Sequence, residues 1–334
     1  MRLVVPMAGR GSRLRPHTLT VPKPLIPIAG KPIVQRLVED IAKVCTEKIE
    51  EVAFVIGDFG QEVENQLITI ADSIGAKGTI YHQEKPLGTA HAVLCAADSL
   101  KGNTIVAFAD TLFKADFQLD ATKDGAIWVK KVENPSAFGV VKLNDNGVIT
   151  DFIEKPKTPV SDLAIIGIYY FKEGEVLRDA LQYLVDNKIM GNNEYQLTDA
   201  LENMKVNGQQ FVSAKVIDWL DCGNKNATVD TNSRYLDYIE ENQLVDKTVN
   251  IINSIIIPPA YIGKNTRLEN AVIGPYVSIG EDCEISNSLI SRTIIQEKTK
   301  VSHANLTNSM IGNHVQLQGV PQDVSLGDYN SVKY

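Results

Sequence analysis

The sequence lacks the features that mark secreted, membrane-spanning and zinc-binding proteins. Its 334 residues include only four cysteines, which lie far apart and show no paired spacing. This distribution argues against a disulfide framework and a zinc site, and it is typical of a reduced cytosolic protein. No apolar stretch approaches the roughly 20 residues of a bilayer-spanning helix, and the first residues lack the long apolar run and cleavage site of a signal peptide. We therefore expect a cytoplasmic protein without a membrane partner.

Positive charge is also in the minority. Lysine and arginine number 33 against 41 aspartates and glutamates, which gives a formal net charge of −8. Proteins that bind nucleic acids usually need a net basic face, so we expect no nucleic-acid partner. The five histidines show no metal-ligand spacing, and no Ser-His-Asp or Cys-His arrangement indicates a covalent nucleophile. An anionic small substrate in a local basic pocket is still compatible with this composition.

The first 242 residues follow the pattern of an α/β domain. Strand-like and helix-like segments alternate from Arg2 to Asp110, which predicts a Rossmann-like, mostly parallel sheet flanked by helices. A strand-rich middle predicts a mixed extension of that sheet, followed by a strand over Phe211–Leu220 that ends at Asp221 and a closing helix over Thr228–Asn242. Ligands of such sheets bind beyond the carboxyl ends of the strands. We therefore expect the loop after the first strand and Asp110 after the fourth strand at the same edge.

The remaining residues, 243–334, carry a six-residue repeat. Ile273, Ile279 and Ile285 recur at this step, which is typical of a parallel β-helix; the alternative is several unrelated short strands. We expect a short left-handed β-helix of about four turns between residues 250 and 318, with three six-residue units in each turn. The three isoleucines would stack inside the coil. An open coil end needs a cap or a partner, so we expect a homo-oligomer.

The strongest chemical signal is a loop rich in glycine and cations directly after the first strand. It reads Gly9-Arg10-Gly11-Ser12-Arg13-Leu14-Arg15-Pro16, and Lys23-Pro24 follow. A dinucleotide-binding fingerprint would have glycine in place of Leu14, and a Walker A loop would end in Gly-Lys-Ser/Thr. Exposed backbone N–H groups together with arginine and lysine instead favour a triphosphate ligand.

This loop resembles the signature of the sugar-1-phosphate nucleotidyltransferases, which include glucose-1-phosphate thymidylyl- and uridylyltransferases and mannose-1-phosphate guanylyltransferases. Further motifs match in order along the chain: Pro86-Leu87-Gly88-Thr89-Ala90, Ala109-Asp110, Phe138-Gly139-Val140-Val141, Glu154-Lys155-Pro156, Gly167-Ile168-Tyr169, Glu194 with Leu197-Thr198-Asp199, and Trp219-Leu220-Asp221-Cys222-Gly223. The resemblance implies an enzyme of nucleotide-sugar biosynthesis that transfers a nucleotidyl group from a nucleoside triphosphate to a sugar-1-phosphate and releases pyrophosphate. Two positions depart from the family: Ala8 replaces a glycine, and Thr111 follows the metal aspartate in place of Asp or Asn.

The resemblance also assigns roles, residue by residue. The nucleotide-binding residues would be Ala8, Gly9, Gly11, Ser12, Gln83 and Gly88. The catalytic residues would be Arg13, Lys23 and Lys155, with Mg²⁺ held by Asp110 and Asp221. The sugar-phosphate contacts would be Gly139, Glu154, Lys155, Tyr169 and Glu194.

The bases of these assignments differ from residue to residue. An amide such as Gln83 can pair with a pyrimidine edge, so dTTP or UTP with glucose-1-phosphate is the favoured substrate pair. Lys155 precedes Pro156, which predicts an extended backbone. Tyr169 lies on a strand and could equally be a core residue. The alternatives are a mannose-1-phosphate guanylyltransferase and a catalytically silent regulatory relative that binds nucleotide sugars.

Overall fold

The structure is a computed structural model that describes residues 1–9, 11–115, 123–158, 160–191, 193–321, 324–329 and 331. Arg10 of the glycine loop lies outside the described residues. The helices are α1 (Ile33–Val44), α2 (Gln61–Ser73), α3 (Thr89–Leu94), α4 (Gly174–Asp186), α5 (Leu197–Val206) and α6 (Lys225–Leu236). The strands of the first half are β1 (Arg2–Pro6), β2 (Pro27–Ile28), β3 (Lys31–Pro32), β4 (Glu51–Ile56), β5 (Lys77–His82), β6 (Thr104–Ala107), β7 (Thr111–Lys114), β8 (Gly125–Lys131), β9 (Gly139–Leu143), β10 (Ile149–Glu154), β11 (Leu163–Phe171), β12 (Phe211–Lys215) and β13 (Asp218–Asp221).

The strands of the C-terminal region are shorter. They are β14 (Asn250–Ile252), β15 (Ile255–Ile256), β16 (Ala260–Ile262), β17 (Arg267–Glu269), β18 (Val272–Ile273), β19 (Val277–Ile279), β20 (Glu284–Ser286), β21 (Leu289–Ile295), β22 (Lys300–Ser302), β23 (Asn305–Ile311) and β24 (Gln316–Gln318). Within the described ranges, no helix is long and apolar enough to cross a bilayer.

The chain divides into two compact units. The first consists of residues 1–26 and 31–227, and the second of residues 27–30 and 228–334. Helix α6 begins at Lys225 and ends at Leu236, earlier at both ends than the predicted closing helix. The division therefore falls inside a helix, and the boundary near residue 242 stays a prediction.

A nine-stranded mixed sheet forms the centre of the first unit. Its main path runs β10-β9-β11-β6-β1-β4-β5, with β8 beside β11 and β12 beside β8. The pairs around β1 are parallel, whereas β11 runs antiparallel to β6 and β8. Leu3, Val4 and Val5 of β1 are fully buried, as expected for a strand covered on both faces. The predicted Rossmann-like sheet with a mixed extension is confirmed.

The register of this sheet brings the glycine loop near Asp110. Val4 of β1 pairs with Val106 of β6 in parallel, so both strands end at the same edge. Met7 to Gly9 leave the end of β1, and Asp110 follows β6 by a short turn. The expectation that these segments lie at one edge is confirmed.

The predicted single strand Phe211–Leu220 is wrong, because it is two strands. Strand β12 pairs with β8 in the large sheet, whereas β13 pairs antiparallel with β7 in a separate two-stranded sheet. The backbone N–H of Ile217, between them, donates to the carbonyl oxygen of Lys114. Apolar residues occur along the whole segment without a turn signal of glycine, proline or asparagine, so the pattern does not reveal that the chain changes pairing partner at this point.

The second unit contains a coil of parallel strands, as predicted for a β-helix. One face is formed by β14, β17, β20, β22 and β24 in that order. Asn250 pairs with Arg267, and Glu284 pairs with Lys300. The repeat is therefore 17 residues in the first turns and 16 in the later ones, shorter than three complete six-residue units. The handedness of the coil stays a prediction.

The isoleucines of the six-residue repeat all point into the coil, but they do not stack on one another. Ile273, Ile279 and Ile285 are each at most 1% exposed and lie on successive faces of a turn. Ile273 stacks between Ile256 and Ile290 of the neighbouring turns. The expected single column is thus replaced by one column on each face, because strand pairing places residues of successive turns side by side.

Candidate active site

The glycine loop folds as a series of short 3-10 turns held by local contacts. Gly11 has a left-handed backbone (φ 60°), and a Cβ atom there would lie 2.8 Å from the Cβ of Lys23. The hydroxyl of Thr18 donates to the carbonyl oxygen of Gly11 at 2.8 Å, and the side chain of Leu14 is buried. Glycine is thus required at position 11 both for its φ angle and for the close approach of Lys23.

Lys23 and Asp110 form an ion pair at the edge of the sheet. The Nζ atom of Lys23 lies 3.0 Å from Oδ2 of Asp110. Sequence reasoning assigned Lys23 to the triphosphate and Asp110 to the metal, and it did not anticipate a direct bond between them. Arg13 is exposed and makes no hydrogen bond or ion pair with the described residues.

The two predicted metal ligands are neighbours. Asp221, at the end of β13, pairs with Thr111 of β7, and the N–H of Cys222 donates to the carbonyl oxygen of Asp110 at 3.0 Å. Burial and the nearby charge of Asp110 raise the pKa of Asp221. The N–H of Gly223 donates to Oδ1 of Asp221 at 2.9 Å. This hydrogen bond stabilises the ionised carboxylate and so lowers the pKa of Asp221.

The donor set suits a hard cation. Two neighbouring carboxylates are the kind of ligand that Mg²⁺ takes when phosphate oxygens and waters complete its coordination. No group of three or more His, Cys, Asp or Glu side chains that could hold a metal occurs among the residues described. A cation at this site would therefore depend on a phosphate ligand for part of its coordination.

A cleft of about 370 Å³ opens over the glycine loop. All six residues predicted to bind nucleotide line it: Ala8, Gly9, Gly11, Ser12, Gln83 and Gly88. The predicted catalytic residues Arg13 and Lys23, the predicted metal ligand Asp110 and the predicted sugar contact Glu194 line it as well. Asp221 is not among the lining residues, but Gly223 is. The fold therefore collects residues from several distant segments of the sequence into one pocket.

Gly88 is constrained by its neighbours as well as by its position in the cleft. Its φ is 111°, and a Cβ atom would lie 2.5 Å from the carbonyl oxygen of Tyr195. The N–H of Ala90 donates to that same oxygen, and the N–H of Tyr195 donates to the carbonyl oxygen of Leu87. This packing requires glycine at position 88 even without a ligand, while the role of Gly88 in binding the nucleotide stays a prediction.

A second cavity of about 210 Å³ contains the predicted sugar-phosphate residues. It is lined by Gly139, Glu154, Lys155, Tyr169 and Glu194 among others. Thr89, Phe108 and Glu194 line both cavities. The two cavities therefore share a wall.

Lys155 adopts an unexpected backbone conformation. Its φ is 41°, which is left-handed, so the extended conformation predicted from the following proline is wrong. The N–H of Lys155 donates to the carbonyl oxygen of Phe138 at 3.1 Å, and this contact holds the turn. Its Nζ atom lies 3.3 Å from Oε1 of Glu154. The bend at the end of β10 thus places this cation in the lining of the second cavity.

Tyr169 belongs both to the cavity wall and to the core. It is 6% exposed, and its ring packs edge-to-face on Phe108 with centroids 6.2 Å apart. Burial, followed by the charges of Glu154 and Asp110, raises the pKa of Tyr169 far above its usual value. Its hydroxyl therefore stays protonated at neutral pH.

Two further residues, which sequence reasoning did not assign, contact the predicted sugar-binding carboxylates. The hydroxyl of Thr198 donates to Oε2 of Glu154 at 3.1 Å, and Nε2 of Gln196 donates to Oε2 of Glu194 at 3.2 Å. Both donors are buried. Thr198 lies within a motif that resembles the family, but its spacing from Glu154 gave no sign that the two side chains meet. These bonds orient the carboxylates that face the second cavity.

Comparison with known proteins identifies the class. Residues 4–238 match the family model of the nucleotidyl transferases. The chain therefore belongs to this family, and it is a nucleotidyltransferase. The resemblance to sugar-1-phosphate nucleotidyltransferases is confirmed.

The relatives include proteins of several named activities. A low-salt glycan biosynthesis nucleotidyltransferase of Haloferax volcanii is 33% identical over 73% of this chain and 66% of its own length. A glucose-1-phosphate thymidylyltransferase of Streptomyces griseus is 29% identical over 96% of this chain and 95% of its own length. The bifunctional protein GlmU of Methanococcus maripaludis is 31% identical over 77% of this chain, which spans 60% of GlmU. A solved UDP-glucose pyrophosphorylase in complex with UDP-glucose superposes with a TM-score of 0.58 at 26% identity, covering 71% of this chain and 99% of that structure.

Proposed function

We propose that the enzyme transfers a nucleotidyl group from dTTP or UTP to glucose-1-phosphate. The observation that carries the proposal is the pair of cavities with a common wall. One contains the glycine loop, Arg13 and Lys23, and the other contains Lys155. Two anionic substrates held in adjoining cavities, each with its own cation, would meet at the wall they share.

The residues of the chain act by alignment and by charge. Backbone N–H groups of the loop, Arg13 and Lys23 bind the triphosphate and stabilise the negative charge that grows on the leaving pyrophosphate. Lys155 orients the phosphate of the sugar so that one of its oxygens faces the α-phosphorus. That oxygen forms the new P–O bond as the bond to pyrophosphate breaks. A sugar phosphate is already an anion at neutral pH, so no general base is required.

We assign the cation to Mg²⁺, held by Asp110 and Asp221. When bound, Mg²⁺ would neutralise the phosphate charge and polarise the phosphoryl group. Lys23 already neutralises Asp110, at 3.0 Å. Lys23 therefore lies beside the proposed metal ligand, where its ammonium group can form ion pairs with both the carboxylate and an incoming phosphate.

The sugar would be recognised by carboxylates and a backbone glycine. Glu154 and Glu194 accept hydrogen bonds from Thr198 and Gln196 and retain further acceptor capacity for sugar hydroxyls. A Cβ atom at Gly139 would lie 3.1 Å from Oε2 of Glu154, so the absence of a side chain keeps that carboxylate accessible. Tyr169 would donate its hydroxyl proton.

Pyrophosphate release tests the proposal. The full chain is assayed with Mg²⁺ and ATP, GTP, CTP, UTP or dTTP against glucose-, mannose- and N-acetylglucosamine-1-phosphate. Turnover highest with dTTP or UTP and glucose-1-phosphate supports the proposal. A preference for GTP with mannose-1-phosphate would show the alternative guanylyltransferase, and nucleotide-sugar binding without turnover would show a regulatory relative.

The coil suggests how copies of the chain would associate. Ile255, Val272 and Leu289 are register partners on one face, and Ile255 is 62% and Leu289 49% exposed. Such an outward apolar column is a candidate surface for a symmetric homo-oligomer. The cytoplasmic location stays a prediction.

A further inference from the structure

The side-chain amide of Gln83 is held by two neighbours. Its Nε2 atom lies 3.2 Å from the carbonyl oxygen of Gly88 and 3.1 Å from Nδ1 of His91. A carbonyl oxygen can only accept, so the group facing Gly88 is the NH₂. Its two protons are donated to the carbonyl oxygen of Gly88 and to Nδ1 of His91. The amide oxygen, Oε1, is the end that has no partner among the described residues.

The same contacts define the tautomer of the His91 ring. Its Nδ1 atom must accept from Gln83, and the thiol of Cys95 lies 3.8 Å from that atom. Burial raises the pKa of Cys95, so the thiol keeps its proton and is a second donor. Burial lowers the pKa of His91, which favours the neutral ring. The imidazole therefore carries its proton on Nε2 and presents Nδ1 as an acceptor.

His91 acts on the cleft only through Gln83. Gln83 lines the nucleotide cleft, whereas His91 is not among the lining residues. We propose that His91 is a positioning residue for base selection: it fixes the Gln83 amide so that Oε1 meets the base. This inference rests on the proposed function and names the feature of the base that the site selects.

The chemistry of the pyrimidines gives the direction of selection. Uracil and thymine carry an N3–H donor, which an amide oxygen accepts, whereas cytosine presents a bare N3 acceptor at the same place. To donate to N3 of cytosine, the Gln83 amide would have to rotate so that its NH₂ group faces the base. Its oxygen would then face the carbonyl oxygen of Gly88 and Nδ1 of His91, which are both acceptors. His91 therefore adds a second penalty to the wrong orientation.

The ratio of kcat/KM for UTP and CTP measures this selection. Both are assayed with glucose-1-phosphate and Mg²⁺, and we expect the wild type to favour UTP by at least about a hundredfold. His91→Leu removes the acceptor and should lower the ratio about tenfold. His91→Asn places an amide oxygen near the position of Nδ1 and should keep the ratio within about threefold of the wild type. Cys45→Ala, at a half-buried cysteine that does not line the cleft, is the control and should leave the ratio unchanged.

The outcomes separate positioning from packing. Equal losses of kcat/KM for both nucleotides in His91→Leu, or a wild type without a preference for UTP, would overturn the inference. If no nucleotide supports pyrophosphate release, the proposed function fails, and equilibrium dialysis of UTP and CTP against the same variants still tests the inference. Nitrogen-15 NMR reports the protonation of the histidine rings in the wild type directly. The His91 signal, identified by its loss in His91→Asn, should show an unprotonated Nδ1, and a protonated Nδ1 would refute the assignment.

Discussion

The side chain of Lys23 is only 9% exposed, and its ammonium group lies 3.0 Å from the carboxylate of Asp110, which is 45% exposed. A lysine that is largely removed from water needs a partner for its charge. The pair joins the glycine loop to the segment after β6. It therefore ties the position of the cation that we propose to bind the triphosphate to that of the proposed metal ligand.

Replacing either proposed metal ligand should abolish most activity. We expect Asp110→Asn and Asp221→Asn each to lower kcat at least about a hundredfold, since metal stabilisation of phosphate charge is worth several kcal/mol. The change is nearly isosteric, so both variants should fold. Asp145→Asn, an exposed aspartate in a turn, is the control. Near-normal rates in either variant, measured by pyrophosphate release with Mg²⁺, would show that its carboxylate does not hold the metal.

Lys155 should act on one substrate only. Lys155→Ala should weaken binding of glucose-1-phosphate and slow the chemical step, because the cation at the second cavity is lost. Affinity for the nucleotide should change little. Lys157→Ala removes a nearby exposed lysine and should leave both affinities unchanged. Calorimetric titration of each substrate gives the comparison, and equal losses for the two substrates would contradict this division of roles.

Gly88 and Gly60 offer a matched test of packing. Both have positive φ, 111° and 82°, but a Cβ atom meets Tyr195 backbone at Gly88 and nothing within 4 Å at Gly60. Gly60→Ala should cost about 1–3 kcal/mol of unfolding free energy from backbone strain alone. Gly88→Ala should cost about 1–3 kcal/mol more, from the steric clash. Urea unfolding measures both, and equal destabilisation would show that the contact with Tyr195 relaxes without cost.

The outward column of the coil should control self-association. Leu289→Lys places a charge at the end of the apolar column and should give a smaller species in light scattering at micromolar concentration. Gln316→Lys adds the same charge on another face of the coil and should leave the mass unchanged. A wild-type protein that is monomeric at micromolar concentration would refute the proposal of a homo-oligomer.

Sequence patterns predicted the central sheet well because its strands and helices have local signatures. Alternating β and α segments, with the apolar run Leu3–Val5 in β1, are sufficient to predict a parallel sheet with helices on both faces. The same approach failed at Phe211–Leu220, where one apolar pattern covers two strands with different partners. It also overestimated the coil repeat, since the six-residue step of Ile273, Ile279 and Ile285 is not kept along the later turns.

The sequence alone determined which chemical groups are available: a glycine loop with Arg13 and Lys23, separate aspartates, and Lys155 in its own motif. Motifs and periodicities are local, so they can be recognised in the sequence without a structure. Only the tertiary structure decided which groups meet. It placed Asp221 beside Asp110. It also brought the hydroxyl of Thr198 to the carboxylate of Glu154 and the ring of His91 to the amide of Gln83. Such contacts depend on strand order, register and the directions of side chains, and these are set by packing of the whole domain rather than by any short segment.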